Sequence, residues 1–438
     1  MKANLITVLV CLSSLFCYGK QQPNIVLLFV DDYGWADVGY RNPKFHTPNI
    51  DQLKAEGLDF TRAYIATPTC SPSRASLLTG KEPVRFQMVR HIGKELDQEF
   101  HLWETDPVQM PSRNWLPLEE KTYAEGLREL GYYNMFMGKW HLGSEKYFPT
   151  EQGFDDFYGT GHHGHPGSYY APFFKEGNPL PQFTDDQYLT DVLTDEAEKF
   201  IGTYERDQPF MLSLWYYNVH GPHIGRKDWL DKYRKEGLEG KDAEYAAMVS
   251  AMDESVGRVR KALEDKGISD NTVLILLSDQ GGYFSNAPLS GGKRGGNTLG
   301  EGGARVPLII RYPGVTQPGA ITDVPVQSLD IFPTLMEIAS GKKYVNKEIN
   351  GTSLMPLLKG GTLENRHLYF FRSYEDQYAA IMSGDWKLIR YHSGKYELFN
   401  VARDISETQN QIGKGLKEEA KLKKALIKWE AEAVPVYK

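Results

Sequence analysis

Cysteine is scarce in this sequence, with three residues in 438. Cys11 and Cys17 lie in an N-terminal segment that we predict to be removed, so Cys70 is the one cysteine expected in the mature chain. That prediction excludes an internal disulfide. A lone thiol in an exported protein is exposed to oxidation. The cysteine count leaves open whether Cys70 is a reactive group or a buried apolar side chain.

Long apolar runs are also missing. The run over residues 5–16 follows Lys2 and is shorter than the roughly 20 apolar residues that span a bilayer. Small residues come after it, so the pattern predicts a signal peptide over residues 1–19 and a secreted or periplasmic protein without a transmembrane segment. A lipoprotein anchor at Cys17 is an alternative that the bulky Phe16 disfavours.

Positive charge is not in excess, because 50 lysines and arginines stand against 57 aspartates and glutamates, for a net charge of -7. The sequence has no basic stripe of the kind that nucleic-acid-binding proteins carry, which excludes nucleic acid as the partner. An anionic ligand must therefore be captured locally. The 24% of charged and 41% of hydrophobic residues are typical of a soluble globular enzyme.

Short β-branched runs alternate with segments of helical periodicity, which predicts an α/β fold: a large mixed, mainly parallel sheet sandwiched by helices. We predict strands at 24–30, 60–66, 132–137, 210–217, 272–278 and 307–311, and helices at 50–56, 123–130, 188–204 and 243–266. From residue 363 the pattern predicts a small antiparallel sheet, with strands at 368–371, 378–382, 386–390 and 396–399, plus a charged helix from Leu416. We therefore expect a catalytic domain over 20–362 and a C-terminal α+β subdomain over 363–438.

Reactive side chains follow the ends of five predicted strands. In chain order they are Asp31 and Asp32, Cys70, Lys139 and His141, His220 and His223, and Asp279 and Gln280. In open α/β sheets the loops beyond the carboxyl ends of the strands converge on the ligand. The sequence therefore predicts a single site that contains all five groups.

Two adjacent carboxylates, Asp31 and Asp32, come directly after the first predicted strand. With Asp279 and the amide oxygen of Gln280 they form an all-oxygen set, which suits calcium or magnesium and is poor for zinc. The alternative for the aspartates alone is a turn or a helix cap, where this residue type is common.

Cys70 precedes a segment, residues 73–78, that we predict to be helical and to end at Gly80. The first turn of a helix offers free N–H groups and a positive dipole end, which bind oxyanions and lower the pKa of a thiol. A plain cysteine nucleophile needs a histidine base, for which His141 and His223 are candidates. The residues alone predict an activated nucleophile beside an acidic metal site.

Several motifs in order resemble the type I sulfatase family of the alkaline phosphatase superfamily. Residues 70–74 (Cys-Ser-Pro-Ser-Arg), with Leu-Thr-Gly at 78–80, resemble the motif whose cysteine is oxidised to formylglycine (3-oxoalanine), and residues 138–143 (Gly-Lys-Trp-His-Leu-Gly) resemble the second motif. The likeness continues at 23–25, 47–51, 301–303 and 396–400. The resemblance implies a sulfuric ester hydrolase that acts through a calcium-bound formylglycine hydrate, and a formylglycine-generating maturase as partner.

The resemblance also implies a role for each matching residue. Calcium would be held by Asp31, Asp32, Asp279, Gln280 and the modified Cys70. Arg74 would hold the modified residue, His141 would steady its hydrate, and the sulfate would be bound by Lys139, His223 and Lys293. Three departures from the family pattern are visible: Gln280 stands where asparagine is usual, Gly225 after His223 stands where proline is common, and the spacer between Lys293 and Glu301 is longer than usual.

The expected substrate is a sulfated glycan, either a polysaccharide or a glycosaminoglycan fragment. The alternatives are a phosphomonoester or phosphonate hydrolase of the same superfamily and an inactive carbohydrate-binding homologue. Two further hypotheses rest on position and charge. His163 lies in a histidine-rich loop that could contact sulfate, bind a metal or be plain surface, and His91, His101, Arg85 and Arg90 could recognise an anionic sugar.

Overall fold

The structure is a computed structural model that describes residues 22–434 except 105, 107, 178, 181–183, 185, 373 and 374. The predicted signal peptide, with Cys11 and Cys17, lies outside the described residues. Within the described ranges, no helix combines the length and the apolar character needed to cross a bilayer.

The strands are labelled β1 to β17 in chain order. They are Asn24–Val30, Leu58–Phe60, Ala63–Tyr64, Phe100–His101, Ser112–Arg113, Tyr133–Gly138, Asp156–Tyr158, Phe210–Trp215, Thr272–Ser278, Arg305–Val306, Leu308–Arg311, Ala320–Thr322, Val326–Gln327, His367–Phe371, Gln377–Ser383, Trp386–Tyr391 and Tyr396–Asn400. The helices are labelled α1 to α10. They are Pro48–Glu56, Cys70–Thr79, Tyr123–Glu129, Leu189–Thr203, Lys227–Lys235, Gly240–Asp265, Glu301–Ala304, Ile331–Ser340, Met355–Leu358 and Lys417–Ala433.

The largest sheet has the strand order β12-β2-β11-β9-β1-β8-β6-β7. Its centre is parallel, because β1 pairs in parallel with β9 and β8, and β8 with β6. Only β11 runs against its neighbours β9 and β2. The predicted fold class, a mixed and mainly parallel sheet between helices, is confirmed.

Both faces of this sheet are covered, which explains why its central strands are continuous apolar runs. Along β1, Val26, Leu28 and Val30 face a core shared with α1, α4, α5 and α6. Ile25 and Phe29 face the opposite core, which α2, α3 and α8 cover. Helix α6 turns a stripe of buried residues toward the first core, in agreement with its predicted periodicity.

The predicted strand at 60–66 is wrong as a single element. The segment forms the end of β2, a break at Thr61 and Arg62, and then β3, which belongs to a separate three-stranded sheet with β10 and β13. Arg62 is drawn aside because its guanidinium binds the carboxylate of Asp385 and the carbonyl of Gly384. Cys70 therefore reaches the site at the start of a helix and not at a strand end of the large sheet.

Strands β14 to β17 form an antiparallel meander that packs against α10 through Leu422, Leu426 and Trp429. Its other face contacts Leu299, which precedes the short helix α7, and Ala304, the last residue of that helix. The small C-terminal sheet with its helix is thus joined to the chain segment that leads out of the Gly-rich loop, residues 291–296.

Candidate active site

Three carboxylates lie together at the carboxyl end of the sheet. Asp31 and Asp32 follow β1, Asp279 follows β9, and the two strands are in register up to Val30 and Ser278. All three carboxylates are fully buried. The backbone N–H of Asp32 donates to Asp279 Oδ1 at 3.0 Å. Burial and then the neighbouring Asp31 raise the pKa of Asp279 to about 6.

Three cationic side chains meet these carboxylates. Arg74 Nη2 lies 2.9 Å from Asp279 Oδ2 and 3.6 Å from Asp31 Oδ1. Lys139 Nζ binds Asp31 Oδ2, and Lys293 Nζ binds Asp32 Oδ2. Burial works against a charged lysine, but the negative groups around Lys293, foremost Asp32, raise its pKa overall. Three acids and three bases leave this cluster with a formal charge of zero.

Cys70 begins helix α2 and is 8% exposed. Gln280 Nε2 lies 3.3 Å from its sulfur and 2.6 Å from Asp32 Oδ1. The expectation that the helix N-terminus lowers the thiol pKa is wrong. Burial raises the pKa of Cys70 to about 11, against the opposing effect of Lys139. Position on the helix alone does not activate this thiol.

The donor set fits a hard cation. Asp31 Oδ1 is buried without a hydrogen-bond partner, although buried polar atoms are almost always paired. Ligand atoms of Asp31, Cys70 and Asp279 lie within 4.8 Å of one another, as do those of Asp32, Cys70 and His220. A half-turn of the Gln280 amide would bring its oxygen to the place of Nε2. Carboxylate and amide oxygens are the ligands that calcium prefers.

Two histidines reach this cluster. His141 Nδ1 lies 3.4 Å from Ser71 Oγ, and burial lowers the pKa of His141 well below its usual range. His220 Nε2 lies 3.8 Å from Asp32 Oδ2. Because His220 Nδ1 is 2.7 Å from the carbonyl of Gly221, that nitrogen carries the proton in the neutral ring and Nε2 is left to face the site.

His223, which we predicted to bind the sulfate, lies in a cluster of aromatic side chains. Its ring packs among Tyr245, Tyr283 and Phe284, with centroid distances of 5.5, 4.7 and 5.0 Å. Burial and then Lys293 lower the pKa of His223 to about 4. The structure thus brings His220, and not His223, beside Asp32 and Cys70. Both histidines follow the fourth predicted strand, and the residue pattern contains no signal that chooses between them.

An open cavity of about 1050 Å³ lies over Cys70. Arg90, His91 and His163 line it, whereas His101 does not. Arg90 forms an ion pair with Asp106 at 3.2 Å. Arg85 does not belong to this group, because its guanidinium binds Glu82 beside α10. Within the described residues, the groupings that could hold a metal lie at Cys70 and do not include the histidine-rich loop.

The loop that carries Lys293 is held by residues that the sequence analysis missed. Glu407 Oε2 accepts hydrogen bonds from Ser290 Oγ and, at 2.8 Å, from the backbone N–H of Glu301. Lys387 Nζ lies 3.0 Å from Glu407 and 3.0 Å from Glu301. All of these charged groups are buried. The ion cluster ties the C-terminal sheet to both ends of the Gly-rich loop.

Comparison with known proteins adds an independent observation. The family model described as Sulfatase matches residues 23–342, and the one described as N-sulphoglucosamine sulphohydrolase, C-terminal, matches residues 297–432. N-acetylgalactosamine-6-sulfatase of Mus musculus is 31% identical over 440 residues, which cover 93% of this chain and 80% of that protein. Steryl-sulfatase of Rattus norvegicus is 30% identical over 438 residues, which cover 80% of this chain and 72% of that protein.

Solved structures agree with the same relationship. The structure described as Ps i-CgsB in complex with k-i-k-neocarrahexaose superposes with a TM-score of 0.82 at 30% identity and covers 94% of both chains. The PsFucS1 sulfatase from Pseudoalteromonas sp. shares the fold, with a TM-score of 0.75 at 24% identity over 95% of this chain and 92% of that one.

Proposed function

Since the chain belongs to the type I sulfatase family of the alkaline phosphatase superfamily and hydrolyses sulfuric esters, we propose that it removes sulfate from a glycan at the buried cluster around Cys70. The observation that carries this proposal is the convergence of three carboxylates and three cationic groups on one cysteine. Such an arrangement binds a cation and an anion side by side.

We assign the metal site to Asp31, Asp32, Asp279, Gln280 and the modified Cys70, with calcium as the ion. The unpaired oxygen of Asp31 and the all-oxygen donor set support this assignment. When bound, the cation would make more acidic a hydroxyl of the formylglycine hydrate, which forms when water adds to the aldehyde at position 70, and this hydroxyl would serve as the nucleophile toward sulfur. We also propose that a formylglycine-generating maturase oxidises Cys70, on the ground of the motif around this residue. We propose that the chain is exported, on the ground of its N-terminal segment.

Charge explains how the sulfate is bound. The protein groups of the cluster sum to zero, so a divalent cation gives the site a net positive charge that attracts an anionic ester. Lys139 and Lys293 present the ammonium groups nearest Asp31 and Asp32, and we assign the sulfate oxygens to them. Arg74 is enclosed between Asp31 and Asp279, where it holds both carboxylates in place.

Departure of the sugar oxygen needs a proton. Lys293 holds one at Nζ. His220 Nε2 carries none in the neutral ring and lies on the same side of the site beside Asp32, so it can accept a proton there and pass it on. His141 Nδ1, next to Ser71 and the start of α2, lies on the side of Cys70 itself and is suited to accept a proton there. A positioned proton donor of this kind is worth about 10²–10⁴-fold in rate.

His220→Ala is therefore expected to lower kcat on N-acetylgalactosamine 6-sulfate by about 100-fold or more, because a sugar alkoxide leaves poorly without a proton, whereas 4-nitrophenolate does not need one. His223→Ala serves as the matched control from the same loop, and its kcat should stay within about threefold of wild type because its ring packs on aromatic side chains. Steady-state kinetics of both variants decides the assignment. Equal losses in the two variants, or a larger loss in His223→Ala, would return the role to His223.

A sulfated glycan is the substrate class that the relatives favour. Their names include N-acetylgalactosamine-6-sulfatase, and the matching solved structure contains a neocarrahexaose. The open cavity of about 1050 Å³ above Cys70 has room for more than one sugar ring. A steryl group is the substrate named for another relative, but the polar and histidine-rich lining favours a sugar.

The proposal is tested by turnover of matched esters. With enzyme coexpressed with a maturase, kcat/KM on 4-nitrophenyl sulfate should exceed that on 4-nitrophenyl phosphate by at least about 100-fold. A chelator should abolish turnover and added calcium should restore it, since three carboxylates without a dication offer no positive site. A higher rate on the phosphate ester would instead identify a phosphomonoester hydrolase, and a lack of any rate would identify a binding protein.

A further inference from the structure

We propose that a second anion-binding site lies beside the catalytic one, around Arg294, Lys241 and Lys175, and that it selects glycans with at least two acidic groups. This inference rests on the proposed function, and it goes further by stating the charge pattern of the substrate. The second group can be a sulfate or a carboxylate, because both present oxygen pairs that guanidinium and ammonium groups bind.

The two sites share one continuous cleft. A second cavity of about 860 Å³ adjoins the one over Cys70, and the two have His163, His165, Glu176, His220 and Arg294 in common. Lys175, Lys241 and Tyr283 complete the outer part that does not touch Cys70. A glycan whose sulfate ester reaches the inner cavity must therefore extend along this outer part.

The outer part is basic in a chain that is acidic overall. Lys175, Lys241 and Arg294 contribute three positive charges to its lining, against the single carboxylate of Glu176, whereas the whole sequence has a net charge of -7. The combined field of Lys293, Lys241 and Arg294 also lowers the pKa of His223, after the larger effect of burial. A local excess of this kind in a cleft concentrates anionic ligands.

These three cations are available to a ligand. Among the described residues, no carboxylate lies within ion-pair distance of Lys175, Lys241 or Arg294, and all three side chains are exposed. The carboxylate that follows Lys241 in the sequence, that of Asp242, is paired with Lys44 at 3.1 Å. Exposed cations without a partner in a concave surface favour recruitment of an anion.

Arg294 is held in a definite orientation. Its guanidinium carbon lies 4.8 Å from the ring centroid of Tyr283, while the preceding Lys293 reaches Asp32 in the catalytic cluster. The consecutive residues Lys293 and Arg294 thus place their positive charges at two different positions along the cleft. Stacking on an aromatic face leaves the edge N–H groups of a guanidinium free for a bidentate contact. Tyr283 also packs edge-to-face against His223, with ring centroids 4.7 Å apart, which holds the tyrosine ring in place.

The test compares a ligand that has one acidic group with two larger ligands that have more. N-acetylgalactosamine 6-sulfate, the chondroitin disaccharide with one sulfate and one carboxylate, and the disaccharide with two sulfates are measured as competitive inhibitors of 4-nitrophenyl sulfate turnover. Wild type should bind the disaccharides at least about 10-fold more tightly than the monosaccharide, the increment that one charge-assisted contact provides. Both disaccharides carry the carboxylate, so tighter binding of the disulfated one identifies a site that binds sulfate, and equal binding of the two identifies a site that binds the carboxylate.

The double variant Arg294→Ala, Lys241→Ala should lose most of that preference while its turnover of 4-nitrophenyl sulfate and its inhibition by the monosaccharide stay within about threefold of wild type. Arg206→Ala is the matched control, because Arg206 stacks on Tyr133 at 4.4 Å on a surface outside both cavities. The proposal is overturned if wild type does not distinguish the three ligands, if the double variant keeps the preference, or if Arg206→Ala loses as much.

Calorimetric titration of the three ligands separates this inference from the proposed function. It reports binding without turnover, so the second site can be detected or excluded even in a chain that does not hydrolyse 4-nitrophenyl sulfate. Normal turnover of the small ester in the double variant also shows that the variant is folded.

Discussion

Cys70→Ala is expected to lower kcat/KM on 4-nitrophenyl sulfate by at least about 10⁴-fold, because no other group of the described site offers a nucleophile between the carboxylates and the ammonium groups. The fold should persist, since the change removes one sulfur atom from a buried position. Steady-state kinetics and the free energy of unfolding, measured on the same preparations, distinguish loss of chemistry from loss of structure.

Ser76→Ala provides the control for that variant. Ser76 lies in the same helix and is equally buried, but its hydroxyl binds the carbonyl of Ser73 and not the site. Its activity should stay within about threefold of wild type. Mass spectrometry of the peptide that contains Cys70 adds a direct readout. An unmodified thiol in fully active enzyme from its own host would contradict the proposed oxidation.

Arg74→Met is expected to destabilise the protein by about 3–5 kcal/mol, the usual cost of leaving buried charges without their partner. Arg74 is fully buried and lies between the carboxylates of Asp31 and Asp279. Its Nη1 also donates to the carbonyl of Lys139 at 2.8 Å, a bond that methionine cannot replace. Urea unfolding in a chelating buffer measures the loss directly, and added calcium should recover part of it because the cation neutralises the same carboxylates.

Arg128→Met is the comparison for this prediction. Arg128 faces Asp155 at 3.5 Å with its side chain 47% exposed, and exposed ion pairs contribute about 0–1 kcal/mol. A loss for Arg74→Met that is no larger than the loss for Arg128→Met would mean that the two buried carboxylates do not depend on Arg74.

The strands with continuous apolar sequence were the most predictable elements. Asn24–Val30 and Thr272–Ser278 occur with the predicted bounds. A run of seven consecutive buried residues is typical of a strand that is covered on both faces, and no other conformation of the run has a lower free energy. The segment 60–66 is also mainly apolar and aromatic, but its prediction as one strand was wrong. Its break depends on Arg62 binding Asp385 in the C-terminal sheet, which no local pattern reveals.

The sequence predicted that the residues of the candidate site lie together, but it did not predict the pKa of Cys70. Asp31, Asp32, Lys139 and Asp279 follow parallel neighbouring strands, so the strand-end rule places them together. The pKa of Cys70 was predicted in the wrong direction, because the helix dipole can be inferred from sequence and the degree of burial cannot. His220 and His223 stand three residues apart in one loop, and only the course of the backbone separates them.

The buried cluster of Lys387, Glu301 and Glu407 has a consequence for protein engineering. Because it joins the final sheet to the two ends of the loop that carries Lys293, the C-terminal part of the chain from residue 363 helps to position the reaction centre. A chimaera that exchanges this part with that of a related enzyme would need to transfer the matching charges together. Otherwise it would leave a buried ion without a counter-ion a few residues from the ammonium group that we assign to sulfate.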